Sequence, residues 1–441
     1  MRMSGITDEM ARSPGTNVFV HGVTSIGNLA GVNLNDDESH RALLFARQHD
    51  IVVVPTAVDD DFLAYVGSLG LEIPAGRIVV ASDGVEPAAS GSLAETLMSN
   101  QAALDTIATL CGDAPVTLNP FIATDVEWRL AASLEALLGR PVRVLGATAA
   151  FVRSANMKHV IRARAEANGV PVTPAELVRP QLSAAGSADL AAAIGRTLGV
   201  TGRVVVKGSF GASGSSTFVV ETEADIAGCV GAVTDRHDND VYIVEPLYDI
   251  VCSPNIVMWI DSGGGDVSCV SVNDQCIDRR LVFAGSTFPS VASLLPGMIE
   301  AASVLTRTLQ DEGFSGAAGF DFCEYEDPVT GTRSFFLSEL NARINGGMYA
   351  TVLMERLNRA QARRSLPSVS ALRSTSVFSS PTTFAAVRDR CGELMFNPLT
   401  GVGVVPFNPG RLAAGKIALA CFGDSPGQVE ELHSECRDRL G

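Results

Sequence analysis

Residues 319–347 read GFDFCEYEDPVTGTRSFFLSELNARINGG. Two runs rich in aromatic residues flank the polar, glycine-containing turn EDPVTGTR, which is the pattern of a β-hairpin. Side chains alternate across a strand, so Glu339, Asn341 and Arg343 project from one face while Ser338, Leu340 and Ala342 project from the other. Asp321 lies opposite Phe320 and Phe322. If the two strands pair, one face gathers two carboxylates, a carboxamide and a guanidinium. Oxygen donors of this kind suit magnesium, which keeps several waters and takes few protein ligands beside substrate phosphates. A solvated hairpin face with an ordinary Glu–Arg pair accounts for the stretch equally well when it stands alone.

A second stretch changes that balance. Val204–Thr217 reads VVVKGSFGASGSST. The valines favour a strand. Beyond Lys207, Gly208, Gly211 and Gly214 let the backbone bend and approach a partner closely, and Ser209, Ser213, Ser215 and Ser216 add donors. A cation beside a cradle of amides is the general recipe for phosphate, although this is not a Walker A loop. A plain Gly/Ser-rich turn needs no ligand, so the loop gains its meaning from the hairpin downstream. Phosphate cradle and magnesium-type cluster are two halves of one nucleotide site.

Composition narrows the class. A chain of 441 residues with 46% hydrophobic and 19% charged residues has room for two to four packed domains. The net charge of −16, without a long basic run, disfavours nucleic acid and anionic membrane surfaces as partners and favours small solutes. No apolar run approaches the roughly 20 residues of a membrane helix, and the opening MRMSGITDEM lacks the apolar core of a signal peptide, so a cytoplasmic protein is expected. Nine scattered cysteines without CxxC spacing read as reduced thiols rather than disulfides or zinc ligands.

Along the chain, NVFVHGVTSIGN, HRALLFARQHD, IVVVPT, RIVVAS and PVRVLGAT alternate strand and helix patterns, so residues 1–150 read as an α/β layer domain. GVTSIG lacks the GxGxxG spacing of a dinucleotide site. The segment NMKHVIRARAEANG reads as a helix that begins near Lys158 and ends at Gly169. Residues 151–245 form a small lobe, 246–362 a larger one, and 363–441 a linker with a C-terminal α/β unit. The linker reading rests on the Ser/Thr-rich RRSLPSVSALRSTSVFSSPTT.

The order Lys158, Lys207 in VVVKGSFGASG, Glu245 in YIVEPL, Asp321 in GFDF, then Glu339, Asn341 and Arg343 in ELNAR, resembles the ATP-grasp superfamily of carboxylate–amine ligases over residues 150–360. INGGMYA and the tail GVGVVPFNPG…GKIALACFGDSPGQ look most like the pheganomycin-type peptide ligases of natural-product biosynthesis. The resemblance implies an α/β architecture: an ATP-grasp fold with an N-terminal pre-ATP-grasp domain and a small C-terminal α/β domain. It also implies ATP with Mg2+, or Mn2+ in its place. Lys158 and Lys207 would neutralise the α- and β-phosphates beneath the loop Gly208–Ser216, and Glu245 with the backbone of Leu247 would hold adenine. Asp321, Glu339 and Asn341 would bind the metal, and Arg343 would face the transferring phosphoryl group. Arg279 and Arg280 in IDRRLVFAG are candidates for the substrate carboxylate or acyl phosphate, though a solvent-exposed pair fits them as well. One departure concerns the ribose. Relatives carry an acid several positions after the hinge glutamate where this chain reads CSPN around Ser253, and Asp249 is the nearest substitute.

The implied reaction is activation of a carboxylate as an acyl phosphate and its capture by an amine of an amino acid or peptide. A carrier-protein thiol as acceptor, a phosphotransferase of the same fold and a silent nucleotide-binding protein stand as alternatives. Related folds are often homodimers. GRLAAGK (410–416) fits GxxxxGK but is followed by Ile417 and a strand-like run, and GDSPG (423–427) fits GxSxG but carries a proline without an N–H, so both read as chance. The six histidines do not cluster; His159 is the one beside a site residue.

Overall fold

In the computed structural model, described over residues 5–12, 14–25, 36–71, 73–180, 185–210, 216–235, 239–261, 264–265, 267–278 and 281–441, the chain builds three sheets. Short runs of apolar and β-branched residues, mostly buried on both faces, make the first: β1 Thr16–Val20, β2 Ile51–Val54, β3 Ile78–Val80, β4 Val116–Pro120 and β5 Val142–Val144. All pairings are parallel in the order β3-β2-β1-β4-β5, so helices such as Asp60–Ser68 and Asp125–Leu138 must carry the chain back between strands. Asp59 caps the first of these helices, and Thr124 with Glu127 forms a capping box on the second. Winding reverses between β1 and β4, which leaves a crevice at the carboxyl ends of those strands, where His21 and Phe121 follow directly.

The small lobe is a four-stranded antiparallel sheet, β6 Glu176–Val178, β7 Val204–Gly208, β8 Thr217–Val220 and β9 Tyr242–Pro246, in the order β6-β9-β7-β8. Helices Gly186–Thr201 and Glu223–Thr234 cover one face. The alternation in VVVK explains itself here: Val204 and Val206 enter the core beneath the helices, while Val205 and Lys207 face the opposite side.

The third sheet has nine strands: β10 Ile250–Cys252, β11 Pro254–Ile260, β12 Ser268–Ile277, β13 Phe283–Phe288, β14 Gly316–Glu326, β15 Arg333–Asn341, β16 Ala371–Phe378, β17 Gly403–Phe407 and β18 Lys416–Gly423. Its order is β10-β14-β11-β12-β13-β16-β18-β17, with β15 on the other side of β14. The hairpin expected from GFDF to ELNAR is formed by β14 and β15. The linker reading of 363–383 is corrected. Residues 371–378 are a strand between β13 and β18, so the C-terminal unit continues the sheet of the large lobe. Ser and Thr are tolerated there because strand partners satisfy them: the Ser286 N–H donates to Ser374 Oγ at 3.0 Å, and Thr375 Oγ1 donates to the Ala284 carbonyl at 3.1 Å.

Candidate active site

The small-lobe sheet and the third sheet face each other across a cleft of about 470 Å³, a volume suited to a nucleotide-sized ligand. From the small lobe, β7 contributes Lys207 and Gly208 and β9 ends in Glu245; Lys158 opens the helix Lys158–Ala167, whose Ile161 and Ala165 pack into the core of the rest of the molecule. A Cβ at Gly208 would stand 2.6 Å from the Asn239 amide and 2.7 Å from Ser216 Cβ, so the turn out of β7 requires glycine. Ser209, in contrast, is buried outside the cleft wall. Its carbonyl accepts from the Lys158 N–H at 2.8 Å and its hydroxyl bonds His159 Nδ1, which fixes the start of the lysine-bearing helix. Gly211, Ser213, Gly214 and Ser215 lie outside the described residues, as do Arg279 and Arg280.

Both lysines are held by carboxylates. Lys207 Nζ lies 2.8 Å from Glu245, which also meets Arg162 at 3.1 Å, and Lys158 Nζ lies 3.5 Å from Glu339 across the cleft. Burial works against the Lys207 charge, but Glu245 outweighs it and the net shift of the ammonium is upward, so it stays cationic. Glu245 therefore orients Lys207 as well as lining the cleft. The Leu247 N–H donates to the Arg203 carbonyl at 3.0 Å, which commits the backbone group expected to hold adenine. Asp249 does not reach the cleft: its side chain is 93% exposed and pairs with Arg203 at 2.7 Å. Ser253, where relatives carry an acid, does line it, together with Gln275.

The opposite wall is a row across the sheet. Asn255 pairs with Asp321, and Asp321 with Glu339, on adjacent strands. Asp321 accepts from the Asn255 amide and, at 2.9 Å, from the Asn341 amide. The Asn255 carbonyl oxygen accepts from Asn345 at 3.2 Å, and Asn345 caps the helix Gly346–Arg363 by accepting from the Met348 N–H. The carboxyl is thus tied through two amides to a helix N-terminus. Burial, then the Glu339 charge, pushes the Asp321 carboxyl up to about 7. Two carboxylates forced together and open to a cleft are an oxygen-donor pair that a divalent cation would relieve, so Asp321 and Glu339 fit magnesium, while the buried Asn341 holds Asp321 through its amide. Among the described residues no cluster of three or more His, Cys, Asp or Glu side chains could hold a metal. Two protein carboxylates suffice where phosphates and water complete the shell.

Strict alternation is broken once. The register shifts between Asp321 and Phe322, because Asp321 faces Glu339 while Phe322 faces Leu337. Ser338 is the extra residue, and this bulge turns both Ser338 and Glu339 toward the cleft, with Lys207 Nζ 3.5 Å from Ser338 Oγ. Strict alternation would put Ser338 on the opposite face. Arg162, Asn255 and the apolar wall of Tyr248, Ile250 and Phe336 join the site without being among the candidate residues of the sequence motifs. Tyr248 stacks on Tyr325 at 4.4 Å, which supplies a flat surface beside the cleft. The Tyr248 and Phe336 rings were legible as aromatic residues beside EPL and within SFFL, but Asn255 gave no signal, since it lies 66 residues from Asp321. Arg343, half-buried, stands beyond Asn341, with its guanidinium 5.4 Å from the Phe121 ring.

Comparison with known families fits this geometry. Residues 39–136 match the pre-ATP-grasp domain and residues 190–347 the ATP-grasp domain. The chain carries a pre-ATP-grasp domain followed by an ATP-grasp domain. No curated protein sequence matches it. Among solved structures, N5-carboxyaminoimidazole ribonucleotide synthetase in its ADP complex is 13% identical with a TM-score of 0.57, covering 96% of each chain. Biotin carboxylase from Campylobacter jejuni in its beta-gamma-ATP complex is 13% identical with a TM-score of 0.57, covering 98% of this chain and 92% of that one. The Aspergillus clavatus N5-carboxyaminoimidazole synthase, bound to ADP and 5-aminoimidazole ribonucleotide, is 14% identical with a TM-score of 0.54, covering 96% and 98%. At these identities the likeness is one of fold, and it extends over the N-terminal, ATP-grasp and C-terminal portions together.

Both motif decoys have structural explanations. Residues 410–416 lie in a short 3-10 turn that leads into β18, without a phosphate-binding helix. Ser425 of GDSPG is an N-cap, accepting from the Gln428 N–H at 3.3 Å. Among the described residues no helix is long and apolar enough to cross a membrane.

Proposed function

We propose that this protein is an ATP-dependent carboxylate–amine ligase that releases ADP and phosphate. The observation that carries the reading is the gathering of Lys158 and Lys207 against Asp321 and Glu339 within one cleft, in a chain that carries an ATP-grasp domain. Lys158 and Lys207 bind phosphate oxygens, Gly208 lets the backbone approach them, and Tyr248 and Phe336 flank the base. Magnesium, held by Asp321 and Glu339, would supply charge neutralisation at the phosphates. A nucleotide phosphate would take Lys158 from Glu339, which would leave that carboxylate available to hold the cation.

The substrate carboxylate attacks the γ-phosphorus of ATP, giving an acyl phosphate and ADP; Arg343 steadies the anionic groups at this point. The amine then attacks the acyl carbon, loses a proton and expels phosphate, leaving an amide. No covalent bond to the protein is required. The likeness of INGGMYA and the C-terminal tail to pheganomycin-type ligases supports an amino acid or peptide as the amine and natural-product synthesis as the setting.

The test is ADP and phosphate release from MgATP across pairs of acids, amino acids and short peptides, with mass spectrometry of products. A pair-dependent release giving a product equal to their summed mass minus water establishes the ligase. Phosphate transferred to substrate without an amide product overturns it in favour of a phosphotransferase.

A further inference from the structure

The C-terminal unit brings two cysteines into contact although they stand 45 positions apart in the sequence. Cys391 ends the helix Phe384–Cys391, and Cys436 lies in the last helix, Pro426–Leu440. Their Sγ atoms are 3.5 Å apart, and both side chains are fully buried. A disulfide bond is about 2.05 Å long, so closure asks for an approach of about 1.5 Å. The two helices are already held in register on either side of the sulfurs. Arg439 donates from Nη1 to the Cys391 carbonyl at 3.0 Å and pairs with Glu393 at 2.6 Å, while Arg390 donates to the Arg439 carbonyl at 3.2 Å. A third thiol, Cys421 on β18, lies within electrostatic reach of both.

The helix that carries Cys391 is also fastened to the N-terminal domain. Its Phe384 ring meets Phe62 edge-on with centroids 5.3 Å apart, and the Phe384 N–H donates to Asp59 at 3.4 Å. A bond from Cys391 to Cys436 would carry that fastening through to the last helix and close a loop that contains β17 and β18. Burial shields both thiols from direct collision with an oxidant, so reaction proceeds through local opening. The last helix docks through Val429, His433, Cys436 and Leu440, and lifting it exposes the Cys436 thiol while the rest of the sheet stays formed.

We propose that Cys391 and Cys436 are a redox-modification site, closed to a disulfide by a low-molecular-weight disulfide such as oxidised glutathione. The Cys436 thiol loses its proton to water, and the thiolate attacks one glutathione sulfur and expels the other glutathione as a thiolate. Cys391, deprotonated in turn, attacks the Cys436 sulfur of this mixed disulfide and expels the second glutathione. Two electrons pass from the cysteine pair to the glutathione disulfide, which leaves as two glutathiones. The test incubates the full chain with oxidised glutathione at about pH 8, alkylates the remaining thiols and maps unreduced peptides by mass spectrometry. The expected product is one cross-linked pair containing Cys391 and Cys436, reversed by dithiothreitol, with the thermal midpoint raised by at least about 3 °C. Cys391→Ser and Cys436→Ser each abolish the cross-link and the rise, and Cys421→Ser keeps both. The wild-type peptide map decides the proposal even where a serine variant fails to fold. A cross-link that forms only in urea, a stable glutathione adduct at either cysteine, a bond to Cys421, or an unchanged or lowered midpoint in the cross-linked chain overturns it.

Discussion

The small lobe and the remainder of the molecule are packed on different plans. The small lobe has its own core, in which Leu190, Ile194, Val206, Val233 and Tyr242 close on one another. The remaining core runs without interruption from Ile6 in the N-terminal domain to Leu440 in the last helix. Of the cations of the cleft, Lys207 rides on the separately packed unit, whereas Lys158 opens a helix whose buried Ile161 and Ala165 belong to the continuous core. The carboxylates are fixed by a cross-strand row and a helix cap within the continuous body. Under the proposed function, this division would let the wall that carries Lys207 adjust to the phosphates while the carboxylate wall stays preorganised.

Substitutions can break that contrast or sharpen it. The largest effect is expected from Glu339→Gln on the fixed wall: ADP release falls on the order of a thousandfold, because a charge needed around the transferring phosphoryl group is lost. The thermal midpoint is expected to stay within a few degrees, and near-normal turnover would remove the carboxylate row from the chemistry. The continuous body should also be the acid-sensitive one. His40 donates from Nε2 to the Thr56 carbonyl at 3.0 Å, and burial lowers its imidazole to about 4; burial likewise lowers His21 to about 3. The unfolded chain takes up these protons near pH 6.5, so stability present above that pH is lost as the pH falls toward 4, by roughly 3 kcal/mol for His40 alone. Denaturant titrations of wild type and His40→Gln between pH 7 and 4.5 measure this, and parallel curves would contradict it.

On the small-lobe wall, Lys207→Ala should raise the KM for ATP by roughly ten- to a hundredfold through a lost charge-assisted contact. It also leaves Glu245 with Arg162 as its remaining cation among the contacts described above. Nucleotide affinity equal to wild type would assign β7 and its loop another purpose. The smallest effect is expected from Asn255→Ala, which removes one of the two amides that hold Asp321. Half-saturation by Mg2+ should rise about tenfold with ATP affinity little changed. An equal loss of both would show that the row supports the whole sheet rather than the metal side of the cleft.

The hairpin β14–β15, the valine strand ending in Lys207 and the helix opening at Lys158 were all legible, because apolar periodicity, a glycine-bearing turn and a helix-ending glycine are local signals. So was the Asp321–Glu339 facing, which follows from closing that hairpin. The strand at 371–378 was lost among serines and threonines, since its partners β13 and β18 are what satisfy those hydroxyls. Asp249 looked like a ribose ligand by proximity to Glu245, yet the chain turns it outward to Arg203.

By itself, then, the sequence determined the elements and the kinds of chemistry: lysine with glycine, paired carboxylates, and the order in which they occur. Only the tertiary structure decided which atoms meet. The bulge at Ser338, the amide chain from Asn345 through Asn255 to Asp321, and the gathering of Arg41 and Arg343 around Phe121 join residues from separate strands or domains. The physical reason is that backbone propensity and side-chain period act over a few neighbouring residues, whereas register, burial and charge pairing are fixed when distant segments pack and must satisfy one another's polar groups.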